Sequence, residues 1–380
     1  MTAIVAASFT KFGKRSESVT HIAAQAAFPI VQKFWDSIDF VVLSNAYSGE
    51  FNAVSGLNNL VTTFLSLDTT PSVRVDNTSA SGGSALFLAS SLIESGRCKC
   101  VLLIGAEKMS EKNTKEVTSV VSSLLPPRER ASGVSLPSLA ALAAKIYLSK
   151  YGAKREAFAQ VAVKNHENGA LNPFAHIQKR LTLEEVLSSR VIAHPLTLYE
   201  FSPISDGACS VLLTANEFAQ SFTEKPVYIK AFGYACDSAH ISSRAELCSL
   251  KSVKDAAQRA YKTARITPSD VNFAELHDMA TVLEVIQCEE LGLFERGKGW
   301  EAAMRGDTSI NGEKPVNTSG GLNAKGHPIG ATGVAQAAEA FLQIRGEAGA
   351  RQVKGASVGL SVNMGGFGNS SVVTIFGDQP

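Results

Sequence analysis

Asn317-Thr318-Ser319-Gly320-Gly321, followed shortly by Lys325-Gly326-His327-Pro328-Ile329-Gly330-Ala331-Thr332-Gly333, is the stretch on which the fold turns. Gly326 and Pro328 shape the backbone on both sides of one imidazole. Three glycines in eight residues let the chain pass close to another group. A side chain held this rigidly suits catalysis, where small misplacements are costly; the bland alternative is a tight structural turn. The residues from Gly330 to Ile344 then read as a long Ala-rich helix. An echo stands early in the chain, where Asn77-Thr78-Ser79-Ala80-Ser81-Gly82-Gly83 leads into a helix read over Gly83 to Ser95. The pair suggests two similar halves, although Ser and Gly before helices are common in any case.

Working outward, strand-like and helix-like patterns alternate, which favours an α/β architecture. Met1 to Ser8, Phe40 to Ser44, Val73 to Val75 and Cys100 to Gly105 read as strands, with the helix at Gly83 completing a βαβ unit. From about Ser110 to Pro203 the texture turns to charge clusters, turns and helices such as Leu139 to Tyr151, as expected of an inserted lobe. Sheet texture returns at Gly207 to Ala215. A second half begins near Pro226, with strands at Val227 to Ala231, Val271 to Leu276, Ser357 to Val362 and Ser370 to Phe376. The expected division is 1–225 for the first half, with the lobe at about 110–204, and 226–380 for the second.

Composition narrows the function classes. In 380 residues, 36 Lys and Arg balance 35 Asp and Glu, leaving a net charge of +1 and no bulk electrostatic reason to hold nucleic acid or an anionic membrane. The six cysteines show no zinc-like spacing and no compact disulfide framework, so no metal is expected and reduced thiols in a cytoplasmic setting are. No apolar run reaches the roughly 18 residues of a membrane span, and the apolar Met1 to Ser8 lacks a basic leader.

Four clusters could carry chemistry. Ser79 stands at a helix entrance, where backbone N–H groups favour negative charge; a hydroxyl there needs a strong base to act, and a plain helix cap explains it as well. His277, in Glu275-Leu276-His277-Asp278-Met279-Ala280 at a strand end, suits an oxyanion donor or a proton carrier, or equally a structural cap. His327 is the third. The fourth is Asn363-Met364-Gly365-Gly366-Phe367-Gly368-Asn369, a backbone-donor loop or a simple glycine hairpin.

In this order the clusters resemble the thiolase superfamily, and within it the sterol-carrier-protein-type branch. The match is carried by Asp76 to Gly83, Glu107-Lys108-Met109, Asn165-His166 with Asn172-Pro173, Ser205-Asp206-Gly207-Ala208, His277-Asp278, Asn317 to Gly321 leading into Gly326 to Gly333, and the last glycine loop. The resemblance implies a five-layered αβαβα thiolase fold of two similar halves with a loop lobe inserted in the first. It implies no permanently bound cofactor, a coenzyme A thioester as substrate, and a homodimer or dimer of dimers. We expect that dimer at the first-half sheet edge near the strand beginning at Cys100. It also implies a nucleophilic Cys where this chain has Ser79, and an acid/base Cys where it has Met279. His327 would activate the nucleophilic Cys and help hold a thioester oxygen, or, with the Cys absent, His277 and His327 would serve as oxyanion donors, with Gly365 or Gly366 near Ser79 as backbone donors.

Both sulfur functions are therefore missing while both imidazoles remain. A thiolate is accessible near neutral pH and an alkoxide is not, and Met exchanges no proton. Three readings follow. The first is an acyl-CoA-handling protein with altered or weak chemistry, of acyltransferase, Claisen or aldolase-like lyase type. The second is a genuine 3-ketoacyl-CoA or acetyl-CoA acyltransferase carrying an engineered Cys-to-Ser change. The third is a non-catalytic partner subunit, paired with a small OB-fold protein or a synthase. In the lobe, Lys150, Lys154, Arg155 and Lys164 read as solvent-facing charge within possible reach of phosphates.

Overall fold

A computed structural model describes residues 1–380. The strands are β1 (Thr2–Phe9), β2 (Phe40–Ser44), β3 (Ser72–Val75), β4 (Cys100–Glu107), β5 (Val191–Ala193), β6 (Leu196–Thr197), β7 (Gly207–Ala215), β8 (Val227–Cys236), β9 (Phe273–Glu275), β10 (Val358–Gly365) and β11 (Ser370–Gly377). All but the β5–β6 pair form one mixed sheet in the order β3-β2-β4-β7-β1-β8-β11-β10-β9.

The sheet is written twice. In the first half β2 runs parallel to β4, and antiparallel β7 and β1 follow. In the second, β9 runs parallel to β10, and antiparallel β11 and β8 follow. β3 lies parallel beside β2 and leads into Asn77; its counterpart is a single parallel bridge from Ala274 to Val316, the residue before Asn317. The halves join where Thr2–Ile4 of β1 pairs with Val227–Ile229 of β8.

Helices complete the layers. The helix Val19–Phe34 covers the outer face at β4 and β7, and Lys251–Ala264 covers β8 and β11. Between the half-sheets lie Ser81–Glu94 and Ile329–Arg345, each packed on β4, β7 and β10. This is the five-layered α/β arrangement. A helix buried on all sides needs small residues, and the run of Ala and Gly in Ile329–Arg345 supplies them.

Three details differ from the sequence reading. The strand beginning at Cys100 is interior, between β2 and β7, and the free first-half edge is the half-buried β3. Every residue of Cys100–Glu107 is buried, as a strand covered on both faces must be. Asn363 to Gly365 belong to β10, and only the turn beyond them reverses the chain into β11. Finally, Lys164 is buried rather than solvent-facing: it pairs with Glu284 at 2.5 Å and donates to the Val316 carbonyl. Arg155 is tied to Glu200 and Lys150 to Glu246.

Candidate functional site

The two central helices start at the same place. A Cβ on Gly82 would fall 2.6 Å from Gly333 Cα, so the first turns meet glycine against glycine. Ser79 precedes one helix and His327 precedes the other. Ser79 sits on a backbone turned by Thr78, whose φ is +49°. Its carbonyl accepts from Asn363 Nδ2 at 3.0 Å, while Asn363 Oδ1 accepts from Gly83 N at 2.6 Å. Asn363 thus clamps the helix entrance to β10. The sequence places Asn363 in a glycine loop but does not show this role, because an Asn next to glycines signals a turn and not a bridge.

His327 is fixed by Thr332. The Thr332 hydroxyl donates to the Pro328 carbonyl at 3.0 Å, so at 2.7 Å it accepts from His327 Nδ1–H. That leaves a lone pair on Nε2. Glu107, at the end of β4, holds the same turn by accepting from Gly330 N, Ala46 N, Tyr47 N and Asn45 Nδ2. Burial pushes its carboxyl up to about 7.

His277 follows β9. Its backbone is held by Gln287, which accepts from His277 N and donates to His277 O. The two imidazoles meet edge to face, with centroids 4.9 Å apart at 88°. Exposure is 1 % for His277, 8 % for His327 and 5 % for Ser79. Burial lowers the affinity of both rings for a proton, with the Lys325 charge adding to the effect; His327 falls to about 3, and His277 also feels His327. Both are neutral at ordinary pH. His277 Nδ1 has no partner, so its proton belongs on Nε2, since an unpaired buried N–H is the costlier orphan.

The other motif residues position this pair. Asp278 accepts from Leu322 N at 2.7 Å and from Asn165 Nδ2 at 2.9 Å. A Cβ on Gly321, at φ +58°, would lie 2.4 Å from that carboxylate. Asn168 and Asn172 donate to the carbonyls of Asn317 and Ser319. Asp206 gathers Arg15 N, Met109 N and Ser110 N.

Met279 packs in the largest apolar cluster with Met364 and Phe367, on the far side of His277 in the chain. Gly365 packs against Asn77 and Thr78, one step from Ser79, whereas Gly366 faces Leu124 of the lobe. Of the two glycines only Gly365 lies beside the Ser79 turn. Surface clefts of about 290 and 600 Å³ lie elsewhere, one lined by Phe28, Trp35 and Phe64 and the other by Phe9, Phe174 and Arg351; neither is lined by Ser79, His277 or His327. All six cysteines are free thiols, none of them at Ser79 or Met279. No helix is long and apolar enough to cross a membrane.

Comparison with known proteins places the chain. Residues 2–217 match the thiolase N-terminal domain and 233–378 the thiolase C-terminal domain-like family. An acetyl-CoA acetyltransferase of Methanothermobacter thermautotrophicus is 37 % identical over 378 residues, 98 % of each chain. Human sterol carrier protein 2 is 36 % identical over 319 residues, which are 80 % of this chain and 58 % of that protein. The solved Ltp2–ChsH2(DUF35) aldolase superposes with a TM-score of 0.84 at 24 % identity, covering 100 % of this chain and 98 % of that one. Human mitochondrial 3-ketoacyl-CoA thiolase in complex with CoA gives 0.77 at 16 % identity, over 100 % and 98 %. The chain belongs to the thiolase family, and is an acyltransferase-like member of it.

Proposed function

We propose that this chain binds an acyl-CoA thioester and cleaves, or in reverse forms, the carbon–carbon bond next to it by an aldol-type reaction that needs no acyl-enzyme. One observation carries the reading. Two neutral imidazoles stand edge to face at 4.9 Å, in a chain that carries Ser79 and Met279 at the positions where the family resemblance implies thiols. The aldolase named above supports it by its fold.

The geometry divides the work. With a 3-hydroxyacyl-CoA in place, His327 Nε2 takes the proton of the 3-hydroxyl. The electron pair of the O–H bond becomes the carbonyl of the departing aldehyde or ketone. The bond between carbons 2 and 3 breaks, and its pair passes into the thioester as an enolate. His277 Nε2–H holds the enolate oxygen. The proton on His327 then returns to carbon 2, releasing a shorter acyl-CoA and restoring the base. Ser79 donates a hydrogen bond and forms no covalent link.

Incubation with a 3-hydroxyacyl-CoA, followed by mass spectrometry, tests this. A shorter acyl-CoA with an equimolar carbonyl product is expected. Tight binding without cleavage would instead indicate a non-catalytic subunit, and no binding by calorimetry would remove the thioester reading altogether. We further propose a homodimer across the free edge of β3, and a small OB-fold partner of the kind suggested by the DUF35 component of the aldolase neighbour. A second reading, a conventional acyltransferase with Ser79 replacing its Cys, draws on the 37 % identical acetyltransferase; it leaves Met279 unexplained.

A further inference from the structure

Buried cations in this protein are hydrogen-bonded, with one exception. Lys164 donates to Glu284 and to the Val316 carbonyl, and Arg351 is held by Glu339 at 2.9 and 3.0 Å. Lys325 is only 2 % exposed, yet its ammonium makes no hydrogen bond. Its nearest counter-charge, Glu275 Oε2 at 3.6 Å, is too far for one. Glu275 is already engaged elsewhere, accepting from Thr318 Oγ1, Ser319 N and Ser319 Oγ. Proteins satisfy buried polar groups with few exceptions, and an ammonium with three unused donors is an expensive one.

Its place in the chain suggests why it is kept. Lys325 closes the single π-turn Gly321–Lys325 and stands two residues before His327. Glu275 stands two residues before His277. The ion pair therefore spans the roots of both imidazoles. The other charges packed around the site are spoken for: Asp278 and Glu284 by Asn165, Lys164 and backbone N–H groups, Glu339 by Arg351, and Glu107 by its four donors.

We propose that Lys325 is a positioning residue whose buried ammonium, tethered to Glu275, supplies the positive field in which the His277–His327 pair receives negative charge from a substrate. The catalytic half of this statement rests on the aldol-type function proposed above; the field itself does not. Lys325 touches no reacting atom.

The test follows the histidine imidazole resonances of the ligand-free chain by NMR during acidification, in wild type, Lys325→Met and Lys325→Arg. With the charge removed, at least one of the two rings should gain its proton roughly one pH unit higher; Lys325→Arg, which keeps the charge, should follow wild type. Identical titrations in wild type and Lys325→Met overturn the proposal. If the Met variant does not fold, Lys325→Gln, which also removes the charge, carries the same comparison. With a 3-hydroxyacyl-CoA, Lys325→Met should lower kcat by about 10- to 100-fold with KM little changed, and Lys325→Arg should restore most of it. Shifted imidazoles in a chain that does not cleave a 3-hydroxyacyl-CoA would leave the field in place and defeat the aldol reading.

Discussion

The entrances of the two central helices touch, yet they are built differently. At Ser81–Glu94 the entrance is mostly backbone: Thr78 in a left-handed conformation, Ser81 Oγ donating to the Thr78 carbonyl, and one Asn363 clamp reaching in from the other half. Its side chain of interest, Ser79, is tied by its carbonyl alone. At Ile329–Arg345 the entrance is a committed polar network. Thr332 holds His327, Glu107 holds Gly330 N, and Ser44 Oγ donates to the Gly330 carbonyl at 2.6 Å. The contrast teaches where change is tolerated. The Ser79 hydroxyl has no side-chain partner to lose, whereas few residues around His327 can vary without orphaning another buried group. On the function proposed above, the chemistry would have changed at the loosely held entrance and stayed at the tightly held one.

The sharpest way to break that comparison is to remove an imidazole. His327→Ala or His277→Ala should lower the rate of carbon–carbon cleavage of a 3-hydroxyacyl-CoA by about 10² to 10⁴ while the thioester still binds, read as product formation against calorimetric affinity. Retention of full rate in both would mean that the second entrance is only scaffold. Next in size is the contact itself. Gly82→Ala would place a methyl against Gly333 Cα and backbone N, and should cost about 1–3 kcal/mol in denaturant unfolding. A neutral result would show that the two entrances do not meet closely enough to share a site.

Much of this arrangement is legible in the chain, and the exceptions have physical causes. Glycines that admit a close neighbour leave a visible trace, so Gly82, Gly321 and Gly333 mark in the sequence the places where the chain is approached closely. The repeat was legible at Asn77 and Asn317, but its second edge strand has shrunk to the bridge at Val316, too short to leave a periodicity. Burial of Lys164 was not legible, because its partner Glu284 is remote in sequence and a lone Lys reads as solvated. The interior position of Cys100–Glu107 was legible and misread: a continuous apolar run is the mark of a strand covered on both faces, not of an edge. Asn363–Gly365 reads as loop because glycine masks strand propensity, and its ladder to β11 supplies what the residues do not.

A smaller effect concerns acid. His327 titrates at about 3 in the folded chain and near 6.5 when unfolded, so the unfolded state binds more protons in between. Its contribution to stability is complete above about 6.5 and is lost as pH falls toward 3, at about 1.4 kcal/mol per pH unit. His327→Gln should flatten that limb of the stability profile, and an unchanged slope would mean that the ring is solvated and not buried in the network.

The smallest structural effect belongs to the loosely held entrance, and it discriminates most between readings. Ser79→Cys exchanges near-isosteric side chains, with no hydroxyl partner to lose, so stability should move by less than about 0.5 kcal/mol. If a missing nucleophile were the only departure from an acyltransferase, the new thiol would bring back thiolysis of acetoacetyl-CoA. We expect it to acylate slowly at most. Met279 still cannot move a proton on carbon 2, and a His327 held at neutral charge by burial favours a thiolate less than an imidazolium would. Ser79→Cys with Met279→Cys restores both sulfur positions, so turnover in the double variant alone would show that the two losses act together, and turnover in the single variant would return the chain to the acyltransferases.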